Sequence, residues 1–306
     1  MLKSNSGISV TNAIELYLKS REIELKHSTF AIYQGYIKRY IEPYFKDILC
    51  EQLTQDVVQN FVAKMIENGL AVRTVKSIFL FFRLGIAEKT GIIFKVKFPK
   101  SSKKEVGFLT SAEQKSLEIS AQLSGMQNYV AIMLCLYLGI RLGECCGLKW
   151  TDFDFTRNTL SINRTLQRIQ YIEGDTKTKL VFQTPKSTSS LRVIPIPSFL
   201  LPLLLEFQKT AESEYVISRV GTYIDPRTLQ KRFKKICENA KIKSLSWHSM
   251  RHSFCVRLME NKENIKVISD LLGHSSSSIT LKYYAHCVDE QKRTCIESLN
   301  CVFYDD

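Results

Sequence analysis

Apolar positions recur at helical spacing through the amino-terminal third of the chain. Val10, Ile14, Tyr17 and Leu18 share one face, and Tyr33, Tyr36, Ile37, Tyr40 and Ile41 share another. Thr54 is placed to cap a third helix carrying Val57, Val58, Phe61, Met65 and Ile66 on one side and ending near Gly69. A fourth is predicted from about Val72 through Phe82 to Glu88. Periodicity lapses over K-V-K-F-P-K-S-S-K-K-E, Lys95 to Glu105, which reads as a cationic linker. It returns at Thr110, with Glu113 in capping-box position. After Trp150 the period shifts toward two. Residues 159–169, Leu180 to Gln183 and Leu191 to Ile196 read as extended stretches, the last stopped by Pro195 and Pro197. From Phe199 onward helical signals dominate. The expected fold is mainly α with a small antiparallel β-sheet: a helical bundle over residues 1–94, a basic linker over 95–107, and a mixed α+β domain over 108–306.

Composition changes this picture in one respect. Hydrophobic content of 44% and charged content of 24% are ordinary for a globular protein, but the formal net charge is +13. Up to residue 107 there are 17 basic against 10 acidic residues, and beyond it 26 against 20. Both halves are basic, so the expected partner is polyanionic along its length, and double-stranded DNA fits better than a single anionic metabolite. Nine cysteines, an odd count with no C-x-x-C pair, point to buried thiols in a reducing compartment. The start, M-L-K-S-N-S-G, has no apolar signal-peptide core, and the run Tyr129 to Ile140 is too short to span a bilayer. The expectation is a cytoplasmic, nucleoid-associated protein without a membrane.

Chemistry concentrates in islands. In G-I-R-L-G-E, Arg141 follows an apolar helix, where its charge needs a partner, and Glu144 lies three residues on. The pair could equally do no more than stabilise a turn. In T-P-K-S-T-S-S-L-R-V-I-P-I-P, Lys186 sits where one strand turns into the next, as a solvated charge or one that can dip into a DNA groove. W-H-S-M-R-H places His248 and Arg251 on one helical face. His252 completes H-x-x-x-H, a zinc spacing, but Ser249 stands where a zincin needs glutamate and no acidic third ligand is near in sequence. No metal is expected. L-L-G-H ends a helix at Gly273–His274, and L-K-Y-Y-A-H brings Tyr283 and Tyr284. Arginine, histidine and tyrosine in a basic protein form a kit for a phosphodiester. In the amino-terminal part, Arg73 and Lys76, and in the linker Lys100, Lys103 and Lys104, are candidate DNA contacts, although the bundle could also serve packing alone.

In this order, with L-G-I-R-L-G-E-C-C-G-L-K-W-T-D-F-D and L-L-G-H-S-S-S-S-I-T-L-K-Y-Y-A-H around them, the islands resemble the tyrosine recombinase (phage integrase) family. The resemblance runs from about Leu109 to the carboxyl terminus. It is looser before that, best at G-L-A-V-R-T-V-K, where it implies a helical core-binding domain. It implies integrase-like activity of phages and mobile elements: site-specific DNA breakage and rejoining through a 3′-phosphotyrosyl bond, with no cofactor. Arg141 and Arg251 would clamp the scissile phosphate, His248 and His274 would contact it, Lys186 would protonate the leaving 5′ oxygen, and Glu144 would orient Arg141. The Y-x-H ending, Tyr284-Ala-His286, favours Tyr284 as nucleophile over Tyr283. A homotetramer on two DNA sites is implied, with Glu290 to Cys301 exchanged as a carboxyl-terminal tail. The alternatives are a type IB topoisomerase, which relaxes DNA without exchanging partners, and a catalytically silent DNA-binding regulator.

Overall fold

The computed structural model describes residues 7–100, 107–170, 178–183, 191–243 and 245–284. Two compact units divide at Lys104/Glu105, with the segment Ile169–Lys179 grouped with the first.

The amino-terminal unit holds α1 (Val10–Ser20), α2 (His27–Tyr36), α3 (Glu42–Phe45), α4 (Gln55–Glu67) and α5 (Val72–Thr90). Hydroxyls start two of them: Ser9 Oγ accepts from the Asn12 N–H and Thr54 Oγ1 from the Val57 N–H. The face expected to run from Tyr33 to Ile41 is interrupted by a π turn, Ile37–Ile41, in which the Glu42 N–H reaches back to the Ile37 carbonyl. Pro43 follows and has no N–H to continue the normal ladder. Phe45, Phe61 and Phe82 close the core as stacked and edge-on rings. The cationic stretch after Phe94 is tied down in its first part. Gln59 exchanges hydrogen bonds with both the N–H (2.9 Å) and the carbonyl (3.1 Å) of Lys97, and Gln55 does the same at Lys95. Phe94 is buried in the bundle core, so the chain stays with this unit to Phe98.

In the second unit, α6 (Ser111–Leu123) opens with the expected Thr110–Glu113 capping box. α7 (Met126–Leu138) is apolar almost all round, and α8 (Leu142–Gly147) follows directly. Such a helix must lie at the centre of the fold. The strands β1 (Phe153–Asp154), β2 (Thr159–Ile162) and β5 (Arg192–Pro195) form an antiparallel sheet in the order β1-β2-β5, with Leu160 opposite Ile194. Pro195 is accommodated because β5 is an edge strand. β3 (Thr165–Gln170) pairs with β4 (Thr178–Gln183), and β6 (Ser218–Arg219) with β7 (Thr222–Tyr223). The remaining helices are α9 (Leu201–Lys209), α10 (Pro226–Asn239), α11 (Trp247–Glu260), α12 (Ile265–Leu272) and α13 (Ser277–Tyr284). α11 packs on α7, and α13 packs on α11 and α12. Among the described residues no helix is long and apolar enough to cross a membrane.

Candidate active site

The central helix α7 stops at Gly139, whose φ of +61° is the left-handed conformation that glycine adopts freely. Two residues later Arg141 begins α8. Its backbone N–H donates to Glu144 Oε2 at 2.8 Å and its Nη1 to Glu144 Oε1 at 2.7 Å. The expected pair therefore forms, in capping-box geometry, with Glu144 buried and Arg141 half-buried. The sequence reading did not single out Arg192, which grips the same carboxylate from β5. Its Nη1 lies 3.0 Å from Oε1 and its Nη2 2.9 Å from Oε2. Burial alone would raise the Glu144 carboxyl. The hydrogen bonds and charge of Arg192, then the charge of Arg141, outweigh it and hold the group at about 2.

Arg251 lies on α11 and is 2% exposed. Its Nη1 donates to the Gly139 carbonyl at 2.6 Å and its Nη2 to the Leu272 carbonyl. Burial, then the charge of Arg141, lowers it to about 9, which leaves it cationic at neutral pH. The end of α12 thus serves three arginines in succession. The Leu271 carbonyl accepts from Arg192 Nε at 2.8 Å, the Leu272 carbonyl from Arg251, and the Gly273 carbonyl from Arg141 Nη2 at 3.0 Å. These are carbonyls that a helix end leaves unpaired, at the negative end of its dipole. Gly273, at φ +61°, turns the chain there and delivers His274 beside the cluster.

His274 Nδ1 is 2.9 Å from the hydroxyl of fully buried Thr280. If that hydroxyl donates, Nε2 carries the ring proton and can donate in turn to an anion. Burial first, then Arg251 and Arg141, lower His274 to about 3, so it is neutral near pH 7. His248 has its pKa lowered by the same causes, although the residue keeps an exposed surface. The His252 ring meets His248 edge to face at 4.4 Å and is itself buried, lowered to about 3. Among the described residues no group of three His, Cys, Asp or Glu side chains could hold a metal ion.

Arg141, Glu144, His248, Arg251 and His274 therefore come together around one corner. Tyr283 and Tyr284 end α13, which packs on the two helices that bear Arg251 and lead to His274. Lys186, Lys103, Lys104 and the segment Glu290 to Cys301 lie outside the described residues. Arg73, Lys76 and Lys100 are exposed in the amino-terminal unit, with Lys76 Nζ 5.3 Å from the Phe98 ring centre. α10 adds an exposed basic surface that the sequence reading passed over: Arg227, Lys231, Lys234 and Lys235, opposite buried Leu229, Phe233 and Ile236. Its amphipathic period was the available signal.

Residues 107–291 match the Phage integrase family, and residues 11–66 match the family's N-terminal SAM-like domain. A protein named tyrosine recombinase XerC-like, from Caldanaerobacter subterraneus subsp. tengcongensis, is 31% identical over 91% of this chain and 79% of its own length. The ICEBs1 integrase of Bacillus subtilis is 23% identical over 97% of this chain and 84% of its own. Among solved structures, the Tn1549 transposon integrase in complex with transposon right end DNA has a TM-score of 0.79 at 21% identity, covering 96% of this chain and 100% of that one. A lambda integrase tetramer bound to a Holliday junction has a TM-score of 0.67 at 20% identity, covering 92% and 78%. The last two are likenesses of fold.

Proposed function

The chain belongs to the phage integrase family and is a tyrosine recombinase, a site-specific DNA breaking and rejoining enzyme, and from that premise we propose how its residues divide the reaction. Arg141 and Arg251 clamp the non-bridging oxygens of the scissile phosphate with planar forks that match its geometry. Neutral His274 donates a hydrogen bond to the same phosphate, and His248 takes the proton from the attacking hydroxyl. The Tyr284 oxygen bonds to phosphorus while the bond from phosphorus to the 5′ oxygen breaks. Lys186 gives the leaving oxygen its proton. The products are a 3′-phosphotyrosyl link and a free 5′ hydroxyl, and attack by a 5′ hydroxyl from a second duplex reverses the chemistry to complete exchange. Bond energy is conserved in the link, so the step requires no nucleotide cofactor.

One observation carries this reading. Arg141 is held by Glu144 and the Gly273 carbonyl, and Arg251 by the Gly139 and Leu272 carbonyls, which is the fixed electrostatic arrangement that stabilises charge in a phosphoryl transition state. We further assign DNA contacts to Arg73, Lys76, Lys100, Lys103 and Lys104, and a core-site role to the amino-terminal unit, whose packing extends past the expected boundary at residue 94 to Phe98, so that only the later part of the basic stretch 95–107 is left to link it to the catalytic domain from 108. We also propose a homotetramer on two DNA sites, with Glu290 to Cys301 exchanged between subunits; a lambda integrase of like fold, as a tetramer bound to a Holliday junction, supports the tetramer alone.

The test is to trap covalent protein–DNA ends in cells, map them, and rebuild the mapped site as a nicked duplex. Wild type and Tyr283→Phe should form the adduct, while Tyr284→Phe should form none. Loss of the adduct in Tyr283→Phe alone would move the nucleophile to Tyr283.

A further inference from the structure

Glu144 has two arginine partners of different character. The Arg141 side chain is 34% exposed and can meet a ligand, whereas that of Arg192 is only 5% exposed. Arg192 cannot itself reach a phosphate from there. It does, however, fix both ends of what holds Arg141. Each oxygen of the Glu144 carboxylate carries one Arg192 donor and one Arg141 donor: Oε1 takes Arg192 Nη1 and Arg141 Nη1, and Oε2 takes Arg192 Nη2 and the Arg141 N–H. The two-pronged grip sets the plane of the carboxylate, and that plane aims the Arg141 fork. The third Arg192 donor, Nε, holds the Leu271 carbonyl, two residues before the Gly273 carbonyl that takes Arg141 Nη2.

We propose that Arg192 is a positioning residue: by bracing Glu144 against the corner at the end of α12, it aims the Arg141 guanidinium at the scissile phosphate. The inference rests on the recombinase reading above and deepens it. Arg192 also opens β5, a few residues after Lys186 in sequence. The strand leaving the segment that bears the leaving-group acid is thereby pinned to the phosphate clamp.

A packing role and a positioning role separate on a substrate whose scissile phosphate is a methylphosphonate. Replacing a non-bridging oxygen by methyl removes the charge that Arg141 serves. Single-turnover capture is measured on the nicked duplex of the mapped site, with phosphodiester or methylphosphonate at the cleavage position, at saturating protein, alongside the Kd for that duplex. On the phosphodiester, Arg192→Gln is expected to slow capture by about 10²-fold, the scale of a roughly 1 Å misplacement, while leaving the Kd nearly unchanged. On the methylphosphonate the same variant should lose less than about a tenth of that factor. Arg192→Lys keeps the charge without the fork and should fall between, with the same substrate dependence. If Arg192→Gln is unfolded at the assay temperature, the substrate ratio of Arg192→Lys decides alone. Equal losses on both substrates, or no loss on the phosphodiester, overturn the proposal. Absence of an adduct with wild-type protein would instead overturn the recombinase reading beneath it.

Discussion

Glu144 is a buried anion facing two arginines, Arg141 and Arg192, and its charge is what holds the three side chains together. Its carboxyl lies at about 2, against an ordinary 4.5. A depressed acid stabilises the fold above its unfolded pKa and loses that contribution as pH falls toward the folded value, so the window here is about pH 4.5 down to 2, worth about 3 kcal/mol. Glu144→Gln leaves two guanidinium groups without their anion and should cost about 3–5 kcal/mol at pH 7. Urea unfolding at pH 7, 4 and 2.5 checks both statements: the gap between wild type and variant should narrow across the acid window. Parallel curves there would show that the carboxylate is not what the arginines require. The Arg141–Glu144 pair was legible in the sequence, because an arginine at the end of an apolar helix with a glutamate three residues on admits few other solutions. Arg192 was not, since its carboxylate lies 48 residues away and its carbonyl 79. Its strand did hold a clue. Alternation places Arg192 on the inward face with Ile194, where an unpaired charge is untenable.

Two left-handed glycines, at the ends of α7 and α12, turn the chain so that their neighbourhoods offer carbonyls to arginines. A Cβ at Gly139 would come within 2.6 Å of Phe254 Cδ1 and 2.8 Å of Leu272 Cδ2, so the turn also brings α11 and α12 into close contact with the chain. Gly139→Ala should therefore cost about 1–2 kcal/mol for the backbone conformation and a further ~1–3 kcal/mol for overpacking. Because the Gly139 carbonyl holds Arg251, covalent capture should fall further than stability alone accounts for. Unfolding by urea together with single-turnover capture tests this, and a stability change below about 1 kcal/mol would contradict it. Local chemistry made such helix ends readable in advance: Thr54 and Thr110 cap as their spacing predicts, and Gly273 closes α12. The corner's purpose was hidden, because Arg141 and Gly273 meet across 132 positions of sequence. The π turn at Ile37–Ile41 was missed for a different reason, since apolar spacing through Tyr33–Ile41 suits a continuous helix and only Pro43 hints at the break.

At the scale of the whole molecule, the charge of +13 belongs to both units, and the exposed cations lie on separate helices: Arg73 and Lys76 on α5, Arg227, Lys231 and Lys234 on α10. A protein that covers duplex DNA with both units releases counterions in proportion to the phosphates each one neutralises. With about 6–10 phosphates contacted, affinity should fall by about 10³–10⁵ between 50 and 200 mM salt. Replacing Lys231 and Lys234 by alanine should lower the slope of log affinity against log salt by about two, and replacing Arg73 and Lys76 should do the same independently. Fluorescence anisotropy with one duplex over a salt series measures all three slopes. If either pair leaves the slope at the wild-type value, that helix faces away from DNA, and its charge serves solubility instead of the reaction. If both pairs lower it and the combined variant loses about four, the two units engage the duplex together. The basic balance seen in each half of the sequence then has its physical cause in the phosphates that each unit neutralises.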